Sequence, residues 1–208
     1  MARSKTTSNL FEKKNAPLVT FADSASQLAI GNAERRGCWI IYGCEKNGKT
    51  WFTLKLVKEI ARYERVAYIS AEEGLDDSFI NAVQRAGITT SDNILWDEYL
   101  SVDEIIEKFQ KQRSANIIVI DNLTMYSDEL KPTEIKKRLL DALPNKLIIF
   151  VAHEERKEAY PAIARMAKKL AKVIFHVEGL KAFVTSRFSS GGEIIIDKEK
   201  SEIYHGLE

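Results

Sequence analysis

Gly43-Cys44-Glu45-Lys46-Asn47-Gly48-Lys49-Thr50 is the stretch that decides the fold. It satisfies G-x-x-x-x-G-K-[ST] at every fixed position. The apolar run Trp39-Ile40-Ile41-Tyr42 precedes it, and an amphipathic stretch with Phe52, Leu56 and Ile60 at four-residue spacing follows. Strand, glycine loop, helix is the context in which this pattern has a physical meaning. Glycines let the backbone curl so that successive N–H groups converge on phosphate oxygens. The helix that follows adds the partial positive charge of its N-terminus. In such a loop Lys49 reaches the β- and γ-phosphates, and the Thr50 hydroxyl ligates Mg²⁺. Residues 43–51, from Gly43 through Trp51, are therefore the expected nucleotide-binding segment, with ATP and Mg²⁺ as the expected cofactors.

Working outward, four more short apolar runs read as strands: 66–69, 117–120, 147–151 and 173–177. They are β-branched or aromatic and nearly free of charge, as strands buried on both faces are. Helical periodicity fills the gaps, over 50–62, 77–86, 102–113, 134–142 and 162–172. This alternation predicts right-handed crossovers and a three-layer α/β domain with a mostly parallel sheet. Residues 183–188 and 193–196 flank Ser189-Ser190-Gly191-Gly192 and predict a C-terminal antiparallel hairpin. Ser201–Tyr204 is expected to add an edge strand. Residues 1–16 carry four positive charges and one negative and are expected to form a mobile or partner-dependent arm, with one domain over 17–208. Leu207-Glu208 carries no weight and has the look of a cloning remnant.

A second signal lies at Asn116-Ile117-Ile118-Val119-Ile120-Asp121, an apolar strand ending in a carboxylate. Downstream of a phosphate loop, Asp121 is the expected second holder of Mg²⁺.

With these residues in hand, the chain resembles the RecA-like P-loop ATPases, including the recombinase and hexameric DnaB-type helicase branches. The resemblance covers roughly residues 35–205. Val66 to Asp76 looks like the family's second core strand, which ends in a catalytic glutamate that polarises the attacking water. It implies that role for Glu72, with Glu73 as the second candidate. The competing reading is that both acids simply open a helix, where carboxylates suit the dipole. Leu147 to His153 looks like the next core strand, which ends in a polar γ-phosphate sensor, so His153 takes that role.

Glu154 to Tyr160 looks like the family's DNA-contacting loop, but its mixed charges suit phosphate poorly. Arg165, Lys168, Lys169 and Lys172 form a more basic stretch, readable as a nucleic-acid contact or as a solvated helix face. Val184 to Ile196 is similar to the late hairpin that presents Lys-x-Arg to a neighbouring subunit's ATP. Arg187 matches the arginine, whereas Thr185 stands where the lysine would be.

Composition narrows the alternatives. Lys and Arg total 31 against 30 Asp and Glu. That excludes a polybasic nucleic-acid binder but permits local patches. From 71 to 107 there are ten acidic residues and one basic, Arg85, a net of −9. An acidic segment beside basic ones suits a homo-oligomer, as a ring or filament, as well as it suits a solvated face. No apolar run approaches the length of a membrane span, and no secretory signal is evident at the start. Cytoplasmic residence is the expectation.

Cys38 and Cys44 are too few for a disulfide framework. Cys44 lies inside the phosphate loop, where an exposed thiol beside Lys49 would be open to oxidation. A small-molecule kinase would need an Arg-rich lid, for which Arg156 and Lys157 offer little. A GTPase would need N-K-x-D, and Asn145-Lys146-Leu147-Ile148 lacks the acid. The expected function is Mg-dependent ATP hydrolysis in DNA replication, recombination or repair, with single-stranded DNA and replication or recombination proteins as partners. The alternative is an ATP-dependent accessory switch without motor activity.

Overall fold

The computed structural model describes Ser4 and residues 6–11 and 16–206. Most of the arm expected over 1–16 lies outside these residues, as does Leu207-Glu208. Of the arm, only a short helix, α1 (Thr7–Phe11), falls within a described element.

The remaining elements in chain order are α2 (Ser24–Ile30), β1 (Gly37–Gly43), α3 (Lys49–Ala61), β2 (Val66–Ser70), α4 (Asp77–Arg85), β3 (Ile94–Asp97), α5 (Val102–Gln110) and β4 (Ile117–Asp121). A 3₁₀ turn (Leu123–Tyr126) and a π-helical turn (Ile135–Leu140) come next. The chain ends through β5 (Leu147–Glu155), β6 (Glu158–Tyr160), α6 (Ala162–Leu170), β7 (Val173–Glu178), β8 (Lys181–Ser186), β9 (Gly192–Ile195) and α7 (Lys198–His205). Among the described residues the strand order is β3-β2-β4-β5-β1-β7-β8-β9, with β6 paired to β5. The six strands from β3 to β7 are parallel; β8 and β9 are antiparallel, as is β6 on β5.

The two-residue period of the strands sorts their side chains into two cores. Trp39 and Ile41 of β1, with Tyr68, Val119 and Ile149, meet Phe52, Leu56 and Ile60 of α3 and Phe79 of α4. Cys38, Ile40 and Tyr42, with Ile69, Ile118 and Phe150, meet Ile105 and Phe109 of α5 and Ile163 of α6. All of these but Tyr42 and Leu56 are at least 97% buried, and those two nearly so. Three layers result, as the alternation of elements predicts.

The structure departs from expectation in four places. Ser201–Tyr204 is helical: the Asp197 carboxylate accepts the Lys200 N–H at 3.1 Å and starts α7. The expected helix over 134–142 narrows to the π-helical turn. The expected late hairpin is one half of a three-stranded meander, because β8 also pairs with β7. Residues 154–160 form no open loop. β5 runs on to Glu155, Arg156 and Lys157 turn with φ of 52° and 64°, and β6 returns.

Candidate functional site

Register brings the site together. Gly43 at the end of β1 pairs with His153 on β5, and Ser70 at the end of β2 pairs with Asp121 on β4. The four strand ends thus lie along one edge of the sheet, and the loop after β1 overhangs them. A cavity of about 340 Å³ opens there, walled by Lys46, Lys49, Thr50, Glu72, Asp121 and His153.

The loop is seated by contacts that its sequence dictates. A Cβ on Gly43 would lie 2.1 Å from the Val177 carbonyl oxygen, so only glycine lets β1 pass β7 there. Gly48 has φ 94°, and a Cβ would meet Leu180 Cδ2 at 2.4 Å. Between them Asn47 fixes the loop to the β7–β8 turn. Its Oδ1 accepts the Gly179 N–H at 2.8 Å, and its carbonyl accepts the Leu180 N–H at 3.4 Å. Lys49 is buried, and its Nζ donates to the Cys44 carbonyl at 2.9 Å. Burial lowers the Lys49 pKa, and the negative charge of Asp121 opposes that shift.

Asp121 keeps some surface on the cavity, yet protein encloses it in depth. Burial raises its pKa to about 6. The Tyr68 hydroxyl donates to Oδ2 and works the other way, while Glu73 and Glu72 add to the rise. Glu73 is itself raised, by burial and then by Glu72 and Asp76. Three carboxylates therefore crowd a wall with few cations, an arrangement that a divalent ion would relieve. The donors available are hard oxygens: the Asp121 carboxylate, the Thr50 hydroxyl and the Ser70 hydroxyl. Mg²⁺ is held by one or two carboxylates together with substrate phosphates and water, so these residues fit it.

Glu72 is held on two sides. Asn122 Nδ2 donates to its Oε2 at 2.9 Å, and His153 Nε2 stands 3.5 Å from its Oε1. His153 Nδ1 is buried without a hydrogen-bond partner among the described residues. Asn122 itself is 1% exposed, and its Oδ1 accepts the Thr124 N–H at 3.0 Å.

Of the residues singled out in the sequence, Glu45, Lys46, Lys49, Thr50, Glu72, Glu73, Asp121 and His153 share the cavity. Three do not. Cys44 is exposed beside it. Trp51 packs against the core with Lys55, Arg85 and Lys200 at 5.0, 5.5 and 5.7 Å from its ring. Arg187 lies at the opposite edge of the sheet: its N–H donates to the Lys172 carbonyl, next to the start of β7.

The basic stretch is also partly neutralised. Lys168 pairs with Glu158, and Lys172, beyond the end of α6, pairs with Glu34. Sequence reading missed Asn122, Tyr68 and Ser70. The only signal was adjacency: Asn122 follows the strand-ending Asp121, and Tyr68 and Ser70 lie on the strand that leads to Glu72.

No family model matches the chain. In sequence it is similar to the protein RecA of Delftia acidovorans (strain DSM 14801 / SPH-1), with 28% identity over 120 residues. That match takes in 56% of this chain and 31% of the relative, so the chain corresponds to about a third of that protein's length. In structure it is similar to the solved ATPase domain of a DnaB-type helicase, with a TM-score of 0.62 and 16% identity, covering 92% of this chain and 93% of the other. It is also similar to the flagellar accessory protein FlaH from Methanocaldococcus jannaschii, with a TM-score of 0.61 and 14% identity over 86% and 91% of the two chains. The fold is RecA-like: an α/β architecture with a mostly parallel central sheet and antiparallel strands toward the C-terminus.

Proposed function

We propose that the protein binds ATP with Mg²⁺ and hydrolyses it. The observation that carries this reading is the meeting of Lys49, Asp121 and a doubly held Glu72 around one cavity at the mouth of a phosphate loop. Loop N–H groups and Lys49 bind the triphosphate, and Thr50 and Asp121 hold the metal. Bound Mg²⁺ would neutralise charge on the β- and γ-phosphates. Glu72 orients the attacking water and accepts its proton, with Asn122 fixing one carboxylate oxygen. His153, 3.5 Å from the other oxygen, couples the carboxylate to the state of the γ-phosphate.

The proposed setting is DNA replication, recombination or repair, in the cytoplasm, as a homo-oligomeric ring or filament. The likenesses to RecA and to the helicase ATPase domain support it. Arg187, remote from its own chain's cavity, then serves a neighbour's site. Single-stranded DNA and replication or recombination proteins are the proposed partners. No described helix is long and apolar enough to cross a membrane.

A second reading, an ATP-dependent accessory switch without motor activity, is favoured by Thr185 in place of the hairpin lysine. The likeness to FlaH, titled an accessory protein, supports it too. Phosphate release with and without single-stranded DNA separates the two. The motor reading expects stimulation by DNA, and a rate indifferent to DNA favours the switch.

A further inference from the structure

The edge of the sheet opposite the phosphate loop carries a cleft of about 440 Å³ that the proposed ATPase chemistry does not use. The residues that immediately precede four adjacent parallel strands build its floor. Asn93 precedes β3, Arg65 precedes β2, Asn116 precedes β4 and Lys146 precedes β5. In the sheet these strands are neighbours in that order, and Ile94, Val66, Ile117 and Leu147 are in register. With about 4.8 Å between strands, the four positions form a row on the order of 14 Å long. The loop after α5 adds Lys111 and Arg113 along one side.

The chemistry of this cleft is one-sided. Arg65, Lys111, Arg113 and Lys146 line it, and no carboxylate does. Lys111 is paired with Glu107 on the exposed face of α5. Arg65, Arg113 and Lys146 make no ion pair among the described residues. Their bonds are to neutral groups: Arg65 Nε donates to Asn93 Oδ1 and its Nη1 to the Arg113 carbonyl, both at 3.3 Å. Lys146 Nζ donates to Ser114 Oγ at 2.9 Å. The nearest acid, Glu64, is already engaged by Arg35 and by the Asn116 amide. Burial, and then the charge of Arg35, lowers the Lys146 pKa, as an excess of positive charge requires. Three asparagines and two glutamines supply the other polar lining, and no aromatic side chain does.

The geometry points to a binding track for the phosphodiester backbone of single-stranded nucleic acid along Asn93, Arg65, Asn116 and Lys146. A row of cations and carboxamides suits a repeating anion better than a single phosphate. Carboxamides both donate and accept, so they also serve base edges, which an acidic protein segment would not exploit. Without aromatic platforms, binding is driven by the backbone, tolerant of sequence and steeply dependent on salt. The track is independent of the ATPase reading, because it lies at the far edge of the sheet.

The test uses the full chain and a fluorescently labelled single-stranded oligonucleotide, with anisotropy read over a range of salt. Arg65→Gln with Arg113→Gln is expected to weaken binding at least tenfold. The slope of log affinity against log salt should fall by about 0.7 for each phosphate that the variant no longer neutralises. Lys111→Gln with Arg113→Gln, confined to the exposed loop after α5, should weaken binding in the same direction and guards against loss of fold. Binding of a fluorescent ATP analogue should be unchanged in both, which separates this result from any failure of the phosphate-loop site.

Four results would overturn the proposal. The wild type could fail to bind the oligonucleotide at low salt. Both cleft variants could keep wild-type affinity while Arg156→Ala with Arg165→Ala, on the β5–β6 turn and α6, loses it. Inorganic phosphate could displace the oligonucleotide at concentrations too low to act through ionic strength, which would make the cleft a pocket for a free anion. The cleft variants could lose self-association with no loss of oligonucleotide affinity, which would assign the cleft to a second copy of the chain.

Discussion

Asn122 Nδ2 donates to Glu72 Oε2 at 2.9 Å across 50 residues of sequence. The two side chains arrive from the ends of β4 and β2, neighbouring strands in register. Asn122 is buried and its other oxygen caps the following turn, so the amide has little freedom to let go of the carboxylate. Glu72 therefore stands preset at the cavity wall.

The first prediction follows from that bond. Asn122→Asp keeps the oxygen that caps Thr124 and replaces the donor by a carboxylate facing Glu72. Turnover should fall about 10- to 100-fold, within the range of a misplaced acid–base group. Nucleotide affinity should change little. Comparing kcat with the dissociation constant of a fluorescent ATP analogue checks this. A loss confined to affinity would show that Asn122 serves only the fold of the site.

The phosphate-loop glycines should differ sharply from a glycine in open space. A Cβ on Gly43 meets the backbone oxygen of Val177 at 2.1 Å, and backbone cannot swing aside. Gly74, with φ 68°, has nothing within 4 Å. Gly74→Ala should cost only the left-handed backbone strain, about 1–2 kcal/mol. Gly43→Ala should cost more, because β1 and β7 must separate. Denaturant midpoints of the two variants give the comparison.

The two cysteines should react very differently. Cys38 is 1% exposed, and burial pushes its thiol up to about 12. Cys44 is exposed, and its carbonyl holds the Lys49 ammonium. A thiol reagent should modify one cysteine in the native protein and both after unfolding. Modification of Cys44 should impair ATP binding, and Cys44→Ser should be spared. Equal impairment in the mutant would end the case for Cys44.

A pH effect is expected at the other edge of the sheet. Glu34 is held by Arg36 and Lys172, and its pKa is lowered from the ordinary 4.5 to about 2. The folded value lies below the unfolded one. Its contribution is thus complete above about pH 4.5 and is lost as pH falls toward 2. The pair is partly exposed, so the stabilisation is on the order of 1 kcal/mol or less. Glu34→Gln should lower the melting temperature at neutral pH, and the gap from wild type should close as the solution is acidified.

Much of this was legible in the sequence, for physical reasons. The phosphate loop and the doubly buried strands are local signals: glycine at positive φ, and apolar runs without charge. β3 escaped notice because Ile94-Leu95-Trp96-Asp97 is short, and Leu95 faces outward on an edge strand. Ser201–Tyr204 read as a strand by its mixed polarity, whereas the deciding group is the Asp197 cap just upstream. The partners of Lys168 and Lys172 lie 10 and 138 residues away, so no local reading could show half of a basic stretch neutralised. The hold of Asn122 on Glu72 is likewise visible only once two strands are paired.

The most direct test of the proposed chemistry is steady-state phosphate release from Mg-ATP by the wild type and by Glu72→Gln. Turnover is expected in the wild type, with at least a 100-fold loss in the variant and ATP binding retained in both. Wild-type turnover in Glu72→Gln would contradict it, and the water-activating role would then have to leave Glu72.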